Sequence, residues 1–302
     1  MSLKDIIPST SPIAFPGLFG DWQFTGSAKL LDIGNGIYWY GVLIAAGLML
    51  GLWFCTRRAP EFGLKADDVT DAVLWGMPAG ILGARLYYII FYLDLYRRAD
   101  GSLDFVRMVR IWDGGLAIYG GVIVGFLTAY VVSRVKKISY LALMDDLVMG
   151  VLIGQAVGRW GNFMNREVFG RETTLPWRMR LWSYDGTPYD VHPTFLYESL
   201  WNLAGFLLIW KVVSKHRRFD GENFLCYFFW YGLGRFWIEG IRDDTLFLFD
   251  VTFFGAPVRV SRALSLCLVL VSGALLAWKL ASRPTKPEPA SPPEAGQSGQ
   301  GG

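Results

Sequence analysis

The chain has 302 residues, 53% of them hydrophobic and only 18% charged, where a soluble globular chain carries about 25% charged residues. The net charge of +3 is small and says little about partners, and no long basic run suggests nucleic acid. The apolar excess is gathered into continuous blocks of roughly 20 residues, the length of helix that crosses a bilayer core of about 30 Å. It lacks the short alternating pattern of a barrel. The expected fold is all-α: a polytopic membrane protein with about seven transmembrane helices and short outer-surface segments.

The N-terminal stretch "MSLKDIIPSTSPIAF" lacks a basic region followed by an apolar one, so the first span is expected to direct insertion itself. That span, about 37–56, opens on Tyr38, Trp39 and Tyr40, residue types that commonly anchor a helix at the membrane interface. The second span covers about 69–92 and the third about 114–134. Both are rich in glycine, which lets helices approach closely in lipid. Residues 93–113 between them should lie on the surface. The fourth span, about 142–160, starts on Asp145 and Asp146, a pair suited to capping a helix start. It leads into residues 161–193, long enough to fold outside the bilayer. The last three spans cover about 194–213, 223–240 and 260–281. Residues 283–302, rich in Pro, Gly, Ser and Glu, cannot bury a core and read as a disordered tail on a membrane domain of residues 1–282. Cys55, Cys226 and Cys267 show no metal-type spacing and read as small apolar residues packed in helices.

Lysines and arginines flanking the spans set the orientation. Arg57, Arg58 and Lys65 follow the first span; Arg134, Lys136 and Lys137 follow the third; Lys211, Lys215, Arg217 and Arg218 follow the fifth; Lys279 closes the seventh. Arginine and lysine together are nearly balanced between the two sides, but only Lys4 and Lys29 among the lysines fall on the other one. The N-terminus is therefore placed outside and the C-terminus in the cytoplasm. Arginines on the outer side, from Arg97 through Arg180, then need another explanation. Function is one; for Arg107, Arg110, Arg178 and Arg180, solvated surface or headgroup contact is the simpler reading.

Charged groups at the edge of a span are costly unless paired or facing water, so they are the informative ones. Five remote segments bring such groups to the outer edge: Tyr38–Tyr40, "GGLAIYGG" (Gly114–Gly121), "GRWGNFMNREVFG" (Gly158–Gly170), "HPTFLYES" (His192–Ser199) and "YGLGRFWIEGIRDD" (Tyr231–Asp244). Together they offer Arg159, Arg235, Arg242, Glu167, Glu198, Glu239, Asn162, Asn165 and His192. Arg235, Glu239 and Arg242 fall at i, i+4 and i+7, one face of a helix. Glu198, six residues after His192, need not share its face. Arginine presents a planar fork that bonds phosphate in two places, so several at headgroup depth suit a phosphodiester. Glutamates would fix the guanidinium planes, and asparagines and tyrosines could bond glycerol or ester oxygens. An ion-pair network that merely holds helices together is the competing reading. There is no HExxH or paired CxxC, only two histidines, and no GxSxG elbow or Walker loop. No metal or cofactor is implied, and no protein nucleophile is evident, so a transfer would pass directly from donor to acceptor.

The stretch "GRWGNFMNREVFG" resembles, at every defined position, the G-R-x-G-N-F-x-N-x-E-x-x-G signature of the prolipoprotein diacylglyceryl transferase family. "IYWYG", "GARLYYIIFY", "WDGGLAIYGG", "HPTFLYES" and "YGLGRFWIEGIRDD" resemble the family's other motifs in order, over nearly the whole chain. The resemblance implies a seven-span enzyme of the bacterial cytoplasmic (inner) membrane that works without a cofactor. It would move the diacylglyceryl group of phosphatidylglycerol onto the lipobox cysteine of a prolipoprotein signal peptide, releasing glycerol-1-phosphate. This is the first step of lipoprotein maturation. Carried over by motif, the functional positions are Tyr40, Arg159, Asn162, Glu167, Gly170, Tyr231, Arg235, Glu239 and Arg242, with Asn165 beside them in the substrate-binding set.

One position departs from the pattern. Some family members have histidine where this chain has Tyr119, and a phenol of pKa about 10 is a poorer base than an imidazole of about 6.5. Arg159 and Arg235 are therefore expected to clamp the phosphodiester and to favour the thiolate, with Glu239 and Glu167 orienting them. Tyr119 would donate a hydrogen bond to substrate or leaving group. His192 is a secondary base candidate, with a hydrogen-bonded role at the start of its helix the equal alternative. The rival function, an anionic lipid or solute transporter with an arginine-lined site, would favour internal repeats and broken spans near the midplane. Neither is evident.

Overall fold

The computed structural model describes residues 3–32, 36–98, 100–242, 247–253 and 256–282. The tail expected to be disordered, and Asp243 and Asp244 of the last motif, lie outside the described residues. Each of the seven apolar blocks forms a helix: α2 (Trp39–Arg58), α3 (Ala66–Phe91), α5 (Ile118–Lys136), α6 (Tyr140–Asn165), α7 (Thr194–Leu208), α8 (Glu222–Ile241) and α9 (Val260–Ala281). Two short helices, α1 (Pro16–Phe19) and α4 (Phe105–Val109), lie outside the bundle sequence. The chain is a polytopic helical membrane protein. Five of the helices are long and apolar enough to cross a bilayer. The other two fall short for identifiable reasons. The α-helical part of α7 is only 15 residues long, continuing as a π-turn over Ile209–Val213. Helix α8 carries Glu222, Arg235 and Glu239.

Helix α6 is the centre of the bundle. Of its apolar window 44% is buried, against 11–22% in the other four spans, and it packs on α2, α5, α7 and α8. Its start is capped by Ser139, whose hydroxyl accepts from the Ala142 amide at 3.3 Å. The anticipated cap at Asp145 exists but serves another helix. Asp145 accepts from the amides of Gly221 (2.7 Å) and Phe224 (2.9 Å), and so caps the first turn of α8. The α2 and α6 helices run antiparallel with glycine on glycine: a Cβ on Gly51 would stand 2.7 Å from the Gly150 carbonyl oxygen. This close approach is what small residues achieve in lipid, where packing rather than the hydrophobic effect joins helices. Cys55 is buried, Cys226 half-buried and Cys267 exposed.

At the end of the bundle where α2 starts, the chain builds strands that the sequence reading did not anticipate. A four-stranded antiparallel sheet has the order β2-β1-β5-β6, from β1 (Ile13–Ala14), β2 (Gln23–Phe24), β5 (Met179–Trp182) and β6 (Pro188–Val191). It covers a small core of Ile7, Ile13, Phe169, Met179, Leu181, Val191 and Phe195. Two further pairs, β3 (Lys29–Leu31) with β4 (Ile37–Tyr38) and β7 (Phe247–Phe253) with β8 (Ala256–Arg259), stand before α2 and α9. Arg166, only 4% exposed, ties the N-terminal segment to the end of α6. Its guanidinium donates to the carbonyls of Ser11 (2.8 Å) and Gly26 (2.5 Å) and to that of Met164.

The Gly51 contact is with backbone, which cannot yield. Gly51→Ala should therefore cost about 1–3 kcal/mol of stability and lower the thermal unfolding midpoint in detergent. Gly76→Ala, with nothing within 4 Å of the added Cβ, should leave the midpoint unchanged.

Candidate active site

Helices α6 and α8 end, and α7 begins, at the sheet end, and each delivers charge. The last two turns of α6 carry Arg159 and Asn162, the second turn of α7 carries Glu198, and the last two turns of α8 carry Arg235 and Glu239. Glu198 is the shared partner. Its Oε2 lies 2.6 Å from Arg159 Nη2, and its Oε1 lies 3.8 Å from Arg235 Nη1 and 3.9 Å from Arg242 Nη1. Arg235 Nη2 also pairs with Glu239 at 2.8 Å, one turn on along α8. Both carboxylates are buried, Glu198 at 6% and Glu239 at 2% exposure. Arg242 is not on the face of α8, as its i+7 spacing suggested. It is the extended residue that closes the helix (φ −68°, ψ 148°), and it reaches Glu198 from there.

The signature residues around Arg159 form a relay. Arg159 Nη1 donates to Asn162 Oδ1 at 3.4 Å, and Asn162 Nδ2 and Asn165 Nδ2 both donate to Glu167 Oε1, at 3.0 and 3.1 Å. Glu167 thus bears on Arg159 through Asn162 rather than directly. The chain can bring Glu167 back over α6 because Arg166 takes a left-handed conformation (φ 53°), closing the helix with its amide on the Asn162 and Phe163 carbonyls. Gly170 sits where any side chain would collide: a Cβ would stand 2.8 Å from His192 Cβ and 3.0 Å from Ile241. Its amide donates to the His192 carbonyl at 2.9 Å, and it bridges to Arg242, so this glycine stitches the signature loop to the ends of α8 and β6. The Tyr40 ring packs on Gly161, where a Cβ would come within 2.4 Å of it.

A narrow cleft of ≈20 Å³ opens between α6, α7 and α8, lined by Arg159, Glu198, Tyr231, Arg235 and the indole of Trp201. That is room for about one water. Trp201, a wall of the cleft, is braced from behind by Trp230. Their rings stack at 4.3 Å, and each indole N–H donates to the other's backbone carbonyl, at 3.0 and 2.9 Å.

Two candidates stand apart from this cluster. His192 Nδ1 lies 3.1 Å from the Tyr197 hydroxyl, which accepts from Trp177 Nε1 at 2.8 Å. This anchors the imidazole at the start of α7, and burial together with the neighbouring Arg171 charge holds its pKa below the usual histidine value, so it is neutral at pH 7. Tyr119, in the first turn of α5, is half exposed with its ring 6.4 Å from that of Tyr87. No described contact joins Tyr119 to the arginines. Glu198, by contrast, takes the central place: the sequence gathers it with the other charged groups at the helix ends, but the orienting role was expected of Glu239 and Glu167. The signal was present: helix α7 contains no lysine or arginine, so a carboxylate inside it requires a cation from another helix. Arg178 and Arg180 are not simply solvated; both pair with Asp190, at 2.8 and 2.6 Å.

The fold and the cluster together define a multi-pass helical membrane protein that gathers three arginines around one buried carboxylate at one end of its helices. Sequence comparison resolves the class further. The profile of the prolipoprotein diacylglyceryl transferase family matches residues 28–278, and the chain belongs to that family. It is 43% identical to the phosphatidylglycerol–prolipoprotein diacylglyceryl transferase of Halalkalibacterium halodurans, over 80% of this chain and 81% of the relative. It is 42% identical to the protein of that name from Geobacillus kaustophilus, over 79% and 87%. The identity to that of Listeria welshimeri is 40%, over 80% and 86%.

The sheet beside the site should be acid-sensitive in a defined direction. Hydrogen bonds from Arg180, then Arg178, hold the Asp190 carboxyl below its usual pKa. A depressed carboxyl contributes stability above its unfolded value, about 3.9, and loses it as pH falls through the folded value. Amide exchange in β5 and β6, corrected for intrinsic pH dependence, should quicken as pH drops below about 4. Asp190→Asn should exchange faster at pH 7 and show no such acid step.

Proposed function

We propose that this transferase moves the diacylglyceryl group of phosphatidylglycerol onto the thiol of a lipobox cysteine in a prolipoprotein. The observation that carries the reading is the shared Glu198 carboxylate. Arg159, Arg235 and Arg242 all converge on Glu198, and Arg235 also pairs with Glu239, so three guanidiniums gather at one end of the helices beside the cleft. A phosphodiester supplies the matching anion. Arg235 Nη1, 3.8 Å from Glu198 and so beyond hydrogen bonding, can turn to a phosphate oxygen. Arg159 offers the second fork, aimed by the Asn162–Glu167 relay.

The same charges serve both ends of the transfer. A neighbouring guanidinium lowers a thiol pKa from about 8.5 and raises the thiolate fraction. The sulfur–carbon bond forms as the ester carbon–oxygen bond to phosphate breaks. The electron pair leaves with glycerol-1-phosphate, where the arginines stabilise the growing charge. The thiol proton departs to solvent or to that phosphate; Tyr119 donates a hydrogen bond rather than accepting the proton. His192 orients the start of α7. An apolar cavity of ≈330 Å³ between α2, α3 and α6 reaches Gln155, one turn below Arg159, and suits an acyl chain. In the orientation set by the lysines, the sheet end faces outward from a bacterial cytoplasmic membrane, the C-terminus lies inside, and α7 and α8 complete seven crossings.

The test is purified protein in detergent with phosphatidylglycerol and a lipobox peptide, scored by mass spectrometry for a diacylglyceryl adduct on the cysteine. Wild type should form it. Arg159→Lys and Arg235→Lys should each lose about tenfold or more in kcat/KM, because an ammonium cannot reproduce a two-point contact. No adduct from folded wild type would overturn the reading; near-full turnover in both lysine variants would overturn the clamp.

A further inference from the structure

Arg85, on α3, is a second buried arginine at the sheet end, only 6% exposed. No carboxylate partner is found for it among the described residues. Instead all five of its N–H groups meet backbone carbonyls of one loop. Nε donates to Met108 (2.8 Å), Nη1 to Gly114 (2.6 Å) and Gly115 (3.0 Å), and Nη2 to Arg107 (2.7 Å) and Arg110 (3.0 Å). Five donors are the full capacity of a guanidinium. The Tyr96 ring closes over it at 5.3 Å. The loop is shaped to this hub. Gly114 and Gly115 adopt φ of 86° and 75°, and a Cβ on Gly115 would stand 2.6 Å from Arg85 Nη1. The next turn is tied to the same helix by the Ala117 amide on the Ala84 carbonyl, at 3.0 Å.

This loop delivers the start of α5. That start has no side-chain cap; Arg85 and the Ala84 contact hold it against α3 just ahead of the close Gly83–Gly120 backbone packing. It carries the "GGLAIYGG" motif, including Tyr119. We propose that Arg85 is a positioning residue for the transfer reaction, holding the Gly114–Gly121 motif in its working place at the headgroup end. The inference rests on the transferase reading above. A lysine at this position could donate at most three hydrogen bonds and would leave at least two buried carbonyls unmatched.

The test uses the full chain in the adduct assay, with amide exchange measured in parallel. Arg85→Lys should lower kcat about tenfold or more while KM for phosphatidylglycerol stays within about twofold, since the arginine cluster is untouched. Exchange should quicken over residues 107–121 while α6, α7 and α8 keep their protection. Gly115→Ala leaves the guanidinium present but forces it off its carbonyls, and should reproduce the kcat loss; it decides the matter if the lysine variant fails to fold. Wild-type kcat in either folded variant, or an exchange increase spread over the whole bundle, would overturn the proposal. If wild type itself gives no adduct, the transferase reading fails, and the exchange pattern separately decides whether Arg85 holds the loop.

Discussion

One carboxylate governs the site. Glu198 is buried in a helix with no cation of its own, and a charge there is tolerable only if other helices bring arginines to it. Arg159 arrives from α6, Arg235 from α8, and Arg242 from beyond the end of α8. The position of three segments is therefore tied to one group. Removing one partner of such a buried set leaves the others uncompensated, which costs more than the pair was worth. The same constraint makes the site responsive. One carboxylate cannot give three guanidiniums good bidentate geometry at once: Arg159 takes the close contact, while Arg235 and Arg242 stand 3.8 and 3.9 Å from Glu198 and Arg235 turns its other nitrogen to Glu239.

The arginines at this end divide by what they bond. Arg85 and Arg166 are nearly inaccessible and spend their donors on backbone carbonyls, locking loops to α3 and α6. Arg178 and Arg180 share Asp190 on the sheet. Arg159, Arg235 and Arg242 bond carboxylates beside a cleft. The arginines at the sheet end thus fall into a structural group and a group beside the proposed site. Their residue type alone cannot separate them.

The helices were legible because continuous apolar blocks of spanning length admit few structures, and all seven appear within a few residues of their expected bounds. The signature residues were legible as a cluster because hydrogen-bonding groups at the end of an apolar run have no cheap bland explanation. Other features were not. Strands β1 and β5 pair across about 165 residues of chain, and two-residue strands carry no periodicity to read. Arg242 was placed on a helix face by its spacing, but the helix stops one residue earlier. Arg85 sat inside a recognised motif with no assigned purpose, because a guanidinium wrapped by a loop shows in sequence only as a charged residue among apolar ones. The glycines at 114 and 115 were the available hint.

A comparison within the molecule sets a purely structural carboxylate beside the one at the proposed site. Asp145, at the opposite end, is fully buried, and both its oxygens are occupied: by the Gly221 and Phe224 amides, with Arg217 at 3.2 Å. It fixes the start of α8 and has no capacity left. Glu198 is buried to a similar degree, yet its Oε1 makes no hydrogen bond and sees its arginines at 3.8 and 3.9 Å. Incomplete bonding is not sufficient by itself, since Asp146 also lacks hydrogen bonds on both oxygens. What distinguishes Glu198 is that its unmet oxygen lines a cleft together with cations from two other helices. An anion arriving there would be bonded by arginines that Glu198 holds in place but does not satisfy. A group that positions cations without saturating them lowers the reorganisation needed when the charge on phosphate grows, which is how preorganised electrostatics accelerates a transfer.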